Sequence, residues 1–209
     1  MLDKFKVIFW DFDGVLMNSN AVRDLGFEKV LADYPVAQVE ALMAYHRANG
    51  GLSRYVKFRY FFEIIRGESI SDEAVQELAN RFSAIMQELL FDPALLIQDS
   101  LGFVKENKQQ YRMHIVSGSD GKELNALCEF LDIHSYFVSI HGSPTPKNQL
   151  VKQLLERHQY PLEDCVLIGD SINDLEAANV NGISFAAYNN RALFSDKIIN
   201  IQQFDSGNV

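Results

Sequence analysis

The stretch VIFWDFDGVLMNSN, residues 7–20, places two carboxylates directly behind an apolar run. The run begins near residue 5 and has the composition of a strand that is buried on both faces. Asp11 and Asp13 follow it with one residue between them, and Gly14 comes next. Two carboxylates this close repel each other, so a positive group must compensate their charge. The stretch therefore predicts a buried strand, over 5–10, that ends in a polar site.

Further apolar runs alternate with helical patterns along the rest of the chain. They predict strands at 111–118, 136–140, 165–170 and 182–187, with an edge strand at 198–204. Helices are expected at 121–131, 147–159 and 172–180. Strands that alternate with helices require crossover connections, which give a parallel sheet covered on both faces. The predicted fold class is α/β, with a Rossmann-like parallel sheet core.

The segment from about residue 16 to 90 shows helical patterns and no strand. Helices are expected at 19–33, 36–48, 53–66 and 71–90. We therefore expect an all-helical insert after the first strand. The domain boundaries that follow are a core of residues 1–15 and 91–209 and a helical cap of residues 16–90. The tail DSGNV is expected to fray.

Composition narrows the classes of function. The chain has 209 residues and a net charge of −9, which argues against nucleic acid or an anionic membrane as its main partner. No apolar run has membrane-spanning length and no signal peptide pattern is present, so we expect a cytoplasmic protein. Cys128 and Cys165 are too few for a disulfide framework or a zinc site and are expected to be buried thiols. The choice between monomer and dimer stays open.

Polar side chains also follow the second and fourth predicted strands. Ser117 stands in IVSGSD, and Asp170 stands in LIGDSINDLEAA with Asp174 four residues later. Ligands of open parallel sheets bind beyond the carboxyl ends of the strands, so these groups are expected to meet the aspartates of the first strand. Carboxylates gathered in one crevice need a cation, and Mg²⁺ prefers such oxygen ligands.

Groups suited to a phosphate lie at the same predicted edge. Lys147 begins a predicted helix, and Ser117 with the backbone N–H groups after it, at Gly118 and beyond, can donate hydrogen bonds to an anion. One carboxylate can attack phosphorus to form an acyl-phosphate, and a second can protonate the leaving alkoxide and later activate water. Phosphoryl transfer depends mainly on such positioning and charge compensation.

The segments DFDGVL, VSGS, a lysine and GDSINDLEAA resemble the four motifs of the haloacid dehalogenase (HAD) superfamily. The helical insert resembles its C1-type cap, as found in phosphoglycolate phosphatases and β-phosphoglucomutases. The resemblance implies that Asp11 is the nucleophile and Asp13 the general acid and base. It also implies that Ser117, Gly118 and Lys147 bind the phosphoryl group.

The resemblance further implies a Mg²⁺ site. Asp11, Asp13 through its backbone carbonyl, and Asp170 would hold the ion, and Asp174 would support that site or orient Lys147. Asp13 favours a phosphatase over a dehalogenase, because cleavage of a carbon–halogen bond needs no proton on the leaving group.

One segment departs from the family pattern. Relatives with this cap often place the lysine in a KPxP element, whereas Ser143 of SPTPK stands at that position here and Lys147 follows four residues later. A shift of one helical turn, about 5.4 Å, is within reach of a lysine side chain. Lys147 is therefore kept as the phosphate-binding lysine, and whether it fully replaces a lysine at 143 stays open.

The cap segment YHRANGGLSRYVKFRY, residues 45–60, is expected to contact the substrate beyond its phosphate. Arg47 and Arg54 are the candidates to meet a carboxylate, a hydroxyl or a second phosphate. The alternative for each is a solvated basic helix face.

The leading hypothesis is a Mg²⁺-dependent phosphatase that hydrolyses a small phosphorylated metabolite, such as a sugar phosphate or phosphoglycolate, through an aspartyl-phosphate on Asp11. A phosphosugar mutase similar to β-phosphoglucomutase would use the same residues and shield the acyl-phosphate from water. A non-catalytic binding protein on the same scaffold is the third possibility, and the retention of every carboxylate argues against it.

Overall fold

Residues 2–204 are described by a computed structural model, and they form a six-stranded parallel sheet in the order β3-β2-β1-β4-β5-β6. The strands are β1 (Val7–Trp10), β2 (Arg112–Asp120), β3 (Ser139–Ser143), β4 (Cys165–Gly169), β5 (Ser184–Tyr188) and β6 (Ile199–Ile201). The predicted α/β class, the parallel sheet and its edge strand are confirmed. The predicted fraying of residues 205–209 lies outside the described residues.

Helices occupy both the insert and the crossovers. Those between β1 and β2 are α1 (Asn20–Val30), α2 (Val36–Ala48), α3 (Arg54–Tyr60), α4 (Asp72–Leu89) and α5 (Gln98–Asn107). Those after β2 are α6 (Gly121–Phe130), α7 (Lys147–His158) and α8 (Ile172–Val180). A π-helical turn, Phe61–Arg66, continues α3 to the end of the predicted helix 53–66. The helical insert is thus present, and its exact domain boundaries stay a prediction.

One local expectation was wrong, and one helix lies where no element was predicted. The strand predicted at 136–140 lies at 139–143, because the apolar pair Tyr136 and Phe137 belongs to a 3-10 turn and its end. Backbone pairing with β2 fixes the true strand, which runs into the polar residues His141–Ser143. Helix α5 was not expected from its mixed sequence. Tertiary contacts stabilise it, since Leu101 is buried and the Ser100 hydroxyl donates to the Val15 carbonyl at 2.6 Å.

The residues of β1 alternate between two buried apolar clusters. Ile8 and Trp10 face the cluster that includes α5, α6 and the insert, while Val7 and Phe9 face the one beneath α7 and α8. This burial on both faces explains why the strand has no polar alternation. It also places the end of β1 in the middle of the sheet, between β2 and β4.

Two further observations bear on composition. Cys128 and Cys165 are buried and unbonded, as expected. Within residues 2–204, no helix has both the length and the apolar character that crossing a membrane requires.

Candidate active site

The carboxyl ends of β1 and β4 bring the predicted aspartates together. The strands are paired up to Trp10 and Ile168, and the Asp11 amide donates to the Ile168 carbonyl at 2.9 Å. Asp11, Asp170 and Asp174 each present a carboxylate oxygen, and these oxygens lie within 4.8 Å of one another. The convergence expected from the two motifs is therefore found in the structure.

Gly14 allows this convergence. Its φ of +78° is in the left-handed region that favours glycine, and an added Cβ would lie 2.0 Å from Asp170 Oδ2. Asn20 Nδ2 donates to the same oxygen at 3.3 Å, and Asn190 Nδ2 donates to the Asp170 carbonyl at 2.7 Å. The turn after β1 and the loop after β5 thus fix the position of Asp170.

Lys147 reaches the carboxylates from the first residue of α7. Its Nζ lies 2.7 Å from Asp11 Oδ1 and also donates to Asp174 Oδ1, and only 4% of its side chain is exposed. Asp174 Oδ2 accepts from the Ser171 amide at 3.0 Å and the Ser171 hydroxyl at 2.6 Å, which closes a capping box on α8. Asp174 is therefore held as a partner of Lys147 and a cap of its own helix.

Ser143, at the position where relatives often carry the lysine, is buried at the end of β3. Its hydroxyl finds no partner among the described residues. The ammonium at the centre of the site belongs instead to the residue four positions later. The structure thus supports the placement of Lys147, while its role in phosphate binding stays a proposal.

Three carboxylates face a single ammonium at this floor of the crevice. Burial, followed by the charge of Asp174, raises the pKa of Asp11 well above its ordinary value, against the effect of Lys147. The same two causes raise the pKa of Asp170 to about 7. The pKa of Lys147 is raised because its two carboxylate partners outweigh the effect of burial.

The donor set fits Mg²⁺. It consists of oxygen only, it carries excess negative charge, and no described residue donates to Asp11 Oδ2 or Asp170 Oδ1. The carboxylate of Asp174 fits less well as a direct ligand, because Lys147 and Ser171 already engage both of its oxygens.

The side chain of Asp13 is held apart from this group, by donors on two sides. Arg23 Nε lies 3.0 Å from Oδ1, the Ser19 hydroxyl donates to the same oxygen, and the Ser119 hydroxyl donates to Oδ2 at 2.5 Å. Burial acts to raise the pKa of Asp13. The charge of Arg23 and these hydrogen bonds outweigh it and lower the pKa to about 2.

Ser117 and Gly118 lie where the sequence predicts, in the last part of β2. Ser117 is buried, and its hydroxyl accepts from the Ser119 amide at 3.1 Å. A Cβ on Gly118 would lie 2.3 Å from the Gly51 carbonyl, so glycine is what allows the insert to approach this strand end. The insert therefore closes directly over the predicted phosphate-binding residues.

A cavity of about 590 Å³ separates the strand ends from the insert. Its floor includes the predicted residues Asp11, Asp13, Ser117, Gly118 and Asp170. Its opposite wall, from α1, α2 and α3, carries the basic residues Arg23, His46, Arg47, Arg54 and Lys57. The expectation that 45–60 faces the crevice is met by this arrangement.

Both arginines proposed as substrate readers already have carboxylate partners. Arg47 Nε lies 2.8 Å from Asp24 Oδ2, and 61% of the Arg47 side chain is exposed. Arg54 is buried, with Nη2 at 2.9 Å from Glu123 Oε2 and Nη1 donating to the Ser83 hydroxyl at 2.6 Å.

Sequence reasoning missed several residues of the cap wall. Arg23 contacts Glu123 Oε1 through Nη1 at 2.5 Å and the Ser119 hydroxyl through Nη2 at 2.9 Å. Lys57 is buried and donates to the Gly50 carbonyl at 3.1 Å, and burial lowers its pKa to about 7. Lys57 lies in the cap segment that is expected to contact the substrate, and Ser119 lies in the motif VSGS, so both had a signal in the sequence. Arg23 stands as a single charge within a helical pattern, which gives no sign of its partners.

One protein family model matches most of the chain. The chain belongs to the haloacid dehalogenase-like hydrolases, whose family model matches residues 5–182. It is 24% identical over 192 residues to a phosphoglycolate phosphatase of Pasteurella multocida, covering 87% of this chain and 84% of that protein. It is 23% identical over 190 residues to a 5′-nucleotidase of Pseudomonas aeruginosa, covering 87% and 81%.

Solved structures share the fold. CbbY from Rhodobacter sphaeroides in complex with xylulose-(1,5)bisphosphate matches with a TM-score of 0.75 and 15% identity, covering 96% of this chain and 95% of that one. A haloacid dehalogenase-like hydrolase from Streptococcus pneumoniae matches with a TM-score of 0.70 and 20% identity, covering 97% and 96%. The chain is an enzyme of the HAD phosphatase type, which corrects the hypothesis of a non-catalytic binding protein.

Proposed function

We propose that this chain is a Mg²⁺-dependent phosphomonoesterase that hydrolyses a small phosphorylated metabolite through an aspartyl-phosphate on Asp11. The observation that carries the proposal is the group of Asp11, Asp170 and Asp174 around Lys147, at the floor of the cavity between the strand ends and the insert. Such a floor is short of positive charge, and a bound cation supplies it.

Asp11 is suited to be the nucleophile because its two oxygens differ. Lys147 holds Oδ1 and thereby fixes the orientation of the carboxylate, while Oδ2 has no described donor, so one oxygen can attack phosphorus and the other can contact the cation. The Ser117 hydroxyl and the Gly118 amide lie on the same floor to hold the phosphoryl oxygens. Mg²⁺, held by Asp11, Asp170 and the Asp13 carbonyl, would compensate the charge of the transferred group.

Asp13 is suited to proton transfer. It lines the cavity two residues from the nucleophile, and Ser19, Arg23 and Ser119 fix its carboxylate. Because its pKa is about 2 in the substrate-free site, Asp13 would take up a proton from the monoanionic form of the phosphate ester as it binds. Asp13 would give this proton to the leaving alkoxide in the first step. In the second step it would take a proton from the water that attacks the aspartyl-phosphate and pass it on to solvent. The insert approaches the same strand ends at Gly118 and would limit the entry of other water.

The cavity of about 590 Å³ suits a small metabolite, and the relatives are named for phosphoglycolate and nucleotide substrates. Lys57 lines the cavity, and its described partner is a carbonyl rather than a carboxylate. It can therefore meet one carboxylate of a phosphoglycolate-like alcohol. A mutase would also need a place for the second phosphate of a bisphosphate intermediate, and both cap arginines expected to serve it are paired.

The test is release of inorganic phosphate from a panel of esters, with Mg²⁺ and with EDTA. The panel holds 2-phosphoglycolate, hexose 1- and 6-phosphates and nucleoside monophosphates. We expect release that requires Mg²⁺ and stops with EDTA. Interconversion of hexose phosphates without phosphate release would indicate the mutase, and no reaction on any ester would contradict both.

A further inference from the structure

Glu123 lies behind the cap wall of the cavity and binds two of its arginines at once. It belongs to α6 of the core, whereas Arg23 and Arg54 belong to α1 and α3 of the insert. Oε1 lies 2.5 Å from Arg23 Nη1, and Oε2 lies 2.9 Å from Arg54 Nη2. Both arginines line the cavity, but these Nη atoms are directed to a carboxylate of the protein itself.

The cluster is buried and its charges cancel. The exposed fractions of the side chains are 7% for Arg23, 3% for Arg54 and 4% for Glu123. Arg23 also pairs with Asp13, so two guanidinium groups face two carboxylates. Further donors of the two arginines bind the hydroxyls of Ser119 and Ser83. An incoming anion therefore meets no net positive charge here.

Resting on the proposed phosphatase function, we propose that Glu123 is a specificity-determining residue. Its carboxylate binds the guanidinium groups of Arg23 and Arg54, which would otherwise be available to a second phosphate of the substrate. The cavity then accepts phosphomonoesters whose alcohol carries no further phosphate. A bisphosphate would have to displace Glu123 from its arginines and leave a buried carboxylate without a partner, which is costly.

Removal of the Glu123 charge should reverse this preference. Glu123→Gln keeps the size of the side chain and leaves the two arginines with Asp13 as their only carboxylate, so the cluster becomes positive. A buried excess positive charge next to the cavity attracts a dianion. A purely structural role of Glu123 predicts weaker binding of every ligand instead.

The experiment compares fructose 1,6-bisphosphate with fructose 6-phosphate by calorimetric titration in the Asp11→Asn background, with Mg²⁺, so that no turnover is needed. We expect Glu123→Gln to raise the affinity ratio of bisphosphate to monophosphate by about tenfold or more. An unchanged ratio, or no bisphosphate binding to this variant, would overturn the proposal. Failure of phosphate release in the ester panel would count against the proposed function alone.

Two further variants keep the test independent of how Glu123→Gln folds. Asp24→Asn removes the acid paired with the exposed Arg47 and should change the ratio by less than about twofold. Arg54→Gln leaves Arg23 alone between Asp13 and Glu123, so the cluster becomes negative and the ratio should fall rather than rise. A ratio raised in Arg54→Gln as it is in Glu123→Gln would show that the charge of this cluster does not set the preference, and would refute the assignment.

Discussion

The floor of the cavity and its cap wall differ in how their charges are compensated. On the floor, Asp11, Asp170 and Asp174 outnumber Lys147, and the pKa values of Asp11 and Asp170 are raised. On the cap wall, Glu123 offsets the arginines, and both of its oxygens are bound. The floor carries excess negative charge, so it favours binding of a cation, and the cation can in turn hold a phosphoryl group. On the cap wall, by contrast, the charges of the two arginines bound to Glu123 are compensated within the protein, and by the proposal above this compensation selects among leaving groups.

Asp11→Asn should produce the largest effect on the floor. We expect phosphate release to fall to the uncatalysed background, because the amide cannot form the aspartyl-phosphate. The folded state should be retained, since the raised pKa of Asp11 means that its buried negative charge disfavours folding near neutral pH. Steady-state kinetics and thermal unfolding check both parts. Asp24→Asn, another acid of the cavity lining, is the matched control and should keep activity.

Asp13→Asn separates proton transfer from charge compensation. Loss of a general acid lowers kcat by about 10²–10⁴-fold for alkyl phosphates, whose alkoxide must be protonated as it leaves. The loss should be much smaller for p-nitrophenyl phosphate, because p-nitrophenolate leaves without a proton. Equal losses for the two esters would contradict the assigned role and would place Asp13 among the groups that only position the substrate.

The response to Mg²⁺ should depend on pH through Asp170. Its pKa is raised to about 7 from an ordinary 3.8, so the metal-free protein loses stability as pH rises from about 4 to about 7. Mg²⁺ competes with this proton, so its stabilising effect should be greater at pH 8 than at pH 6. Melting temperatures with Mg²⁺ and with EDTA at both pH values test this. Asp170→Asn should abolish most of the difference, and identical melting curves at pH 8 for the unaltered protein would contradict a metal site.

The floor was largely predictable from the sequence, and the cap wall was not. Asp11 and Asp170 each follow an apolar run directly, so the position of a strand end gives the position of the side chain. Lys147 is the first residue of its helix, as its pattern indicates. These signals are local in the sequence. The residues then come together because a parallel sheet places the carboxyl ends of its strands at one edge.

Long-range pairs on the cap wall leave no such local signal. Arg23 and Glu123 are 100 residues apart, and each stands in an ordinary helical pattern. Arg54 lies in the cavity wall, where its place in the insert puts it, but its pairing with Glu123 has no local signal, and its role as a substrate-binding residue stays a prediction. The misplaced bounds of β3 have a related cause, since backbone pairing with β2 overrides the apolar character of Tyr136 and Phe137.

Arg47→Gln should give the smallest effect and thereby complete the contrast within the cap wall. The Arg47 side chain is 61% exposed and pairs with Asp24, which is 23% exposed, so water and salt weaken the pair. We expect kcat and KM to stay within about twofold for a monophosphate, with no measurable change in the free energy of unfolding by urea. A tenfold rise in KM would mean that Arg47 leaves Asp24 to bind the substrate. In that case one arginine of the cap wall would bind the leaving group of the substrate. The contrast between the floor and the cap wall would then hold only for Arg23 and Arg54, the buried arginines that pair with Glu123.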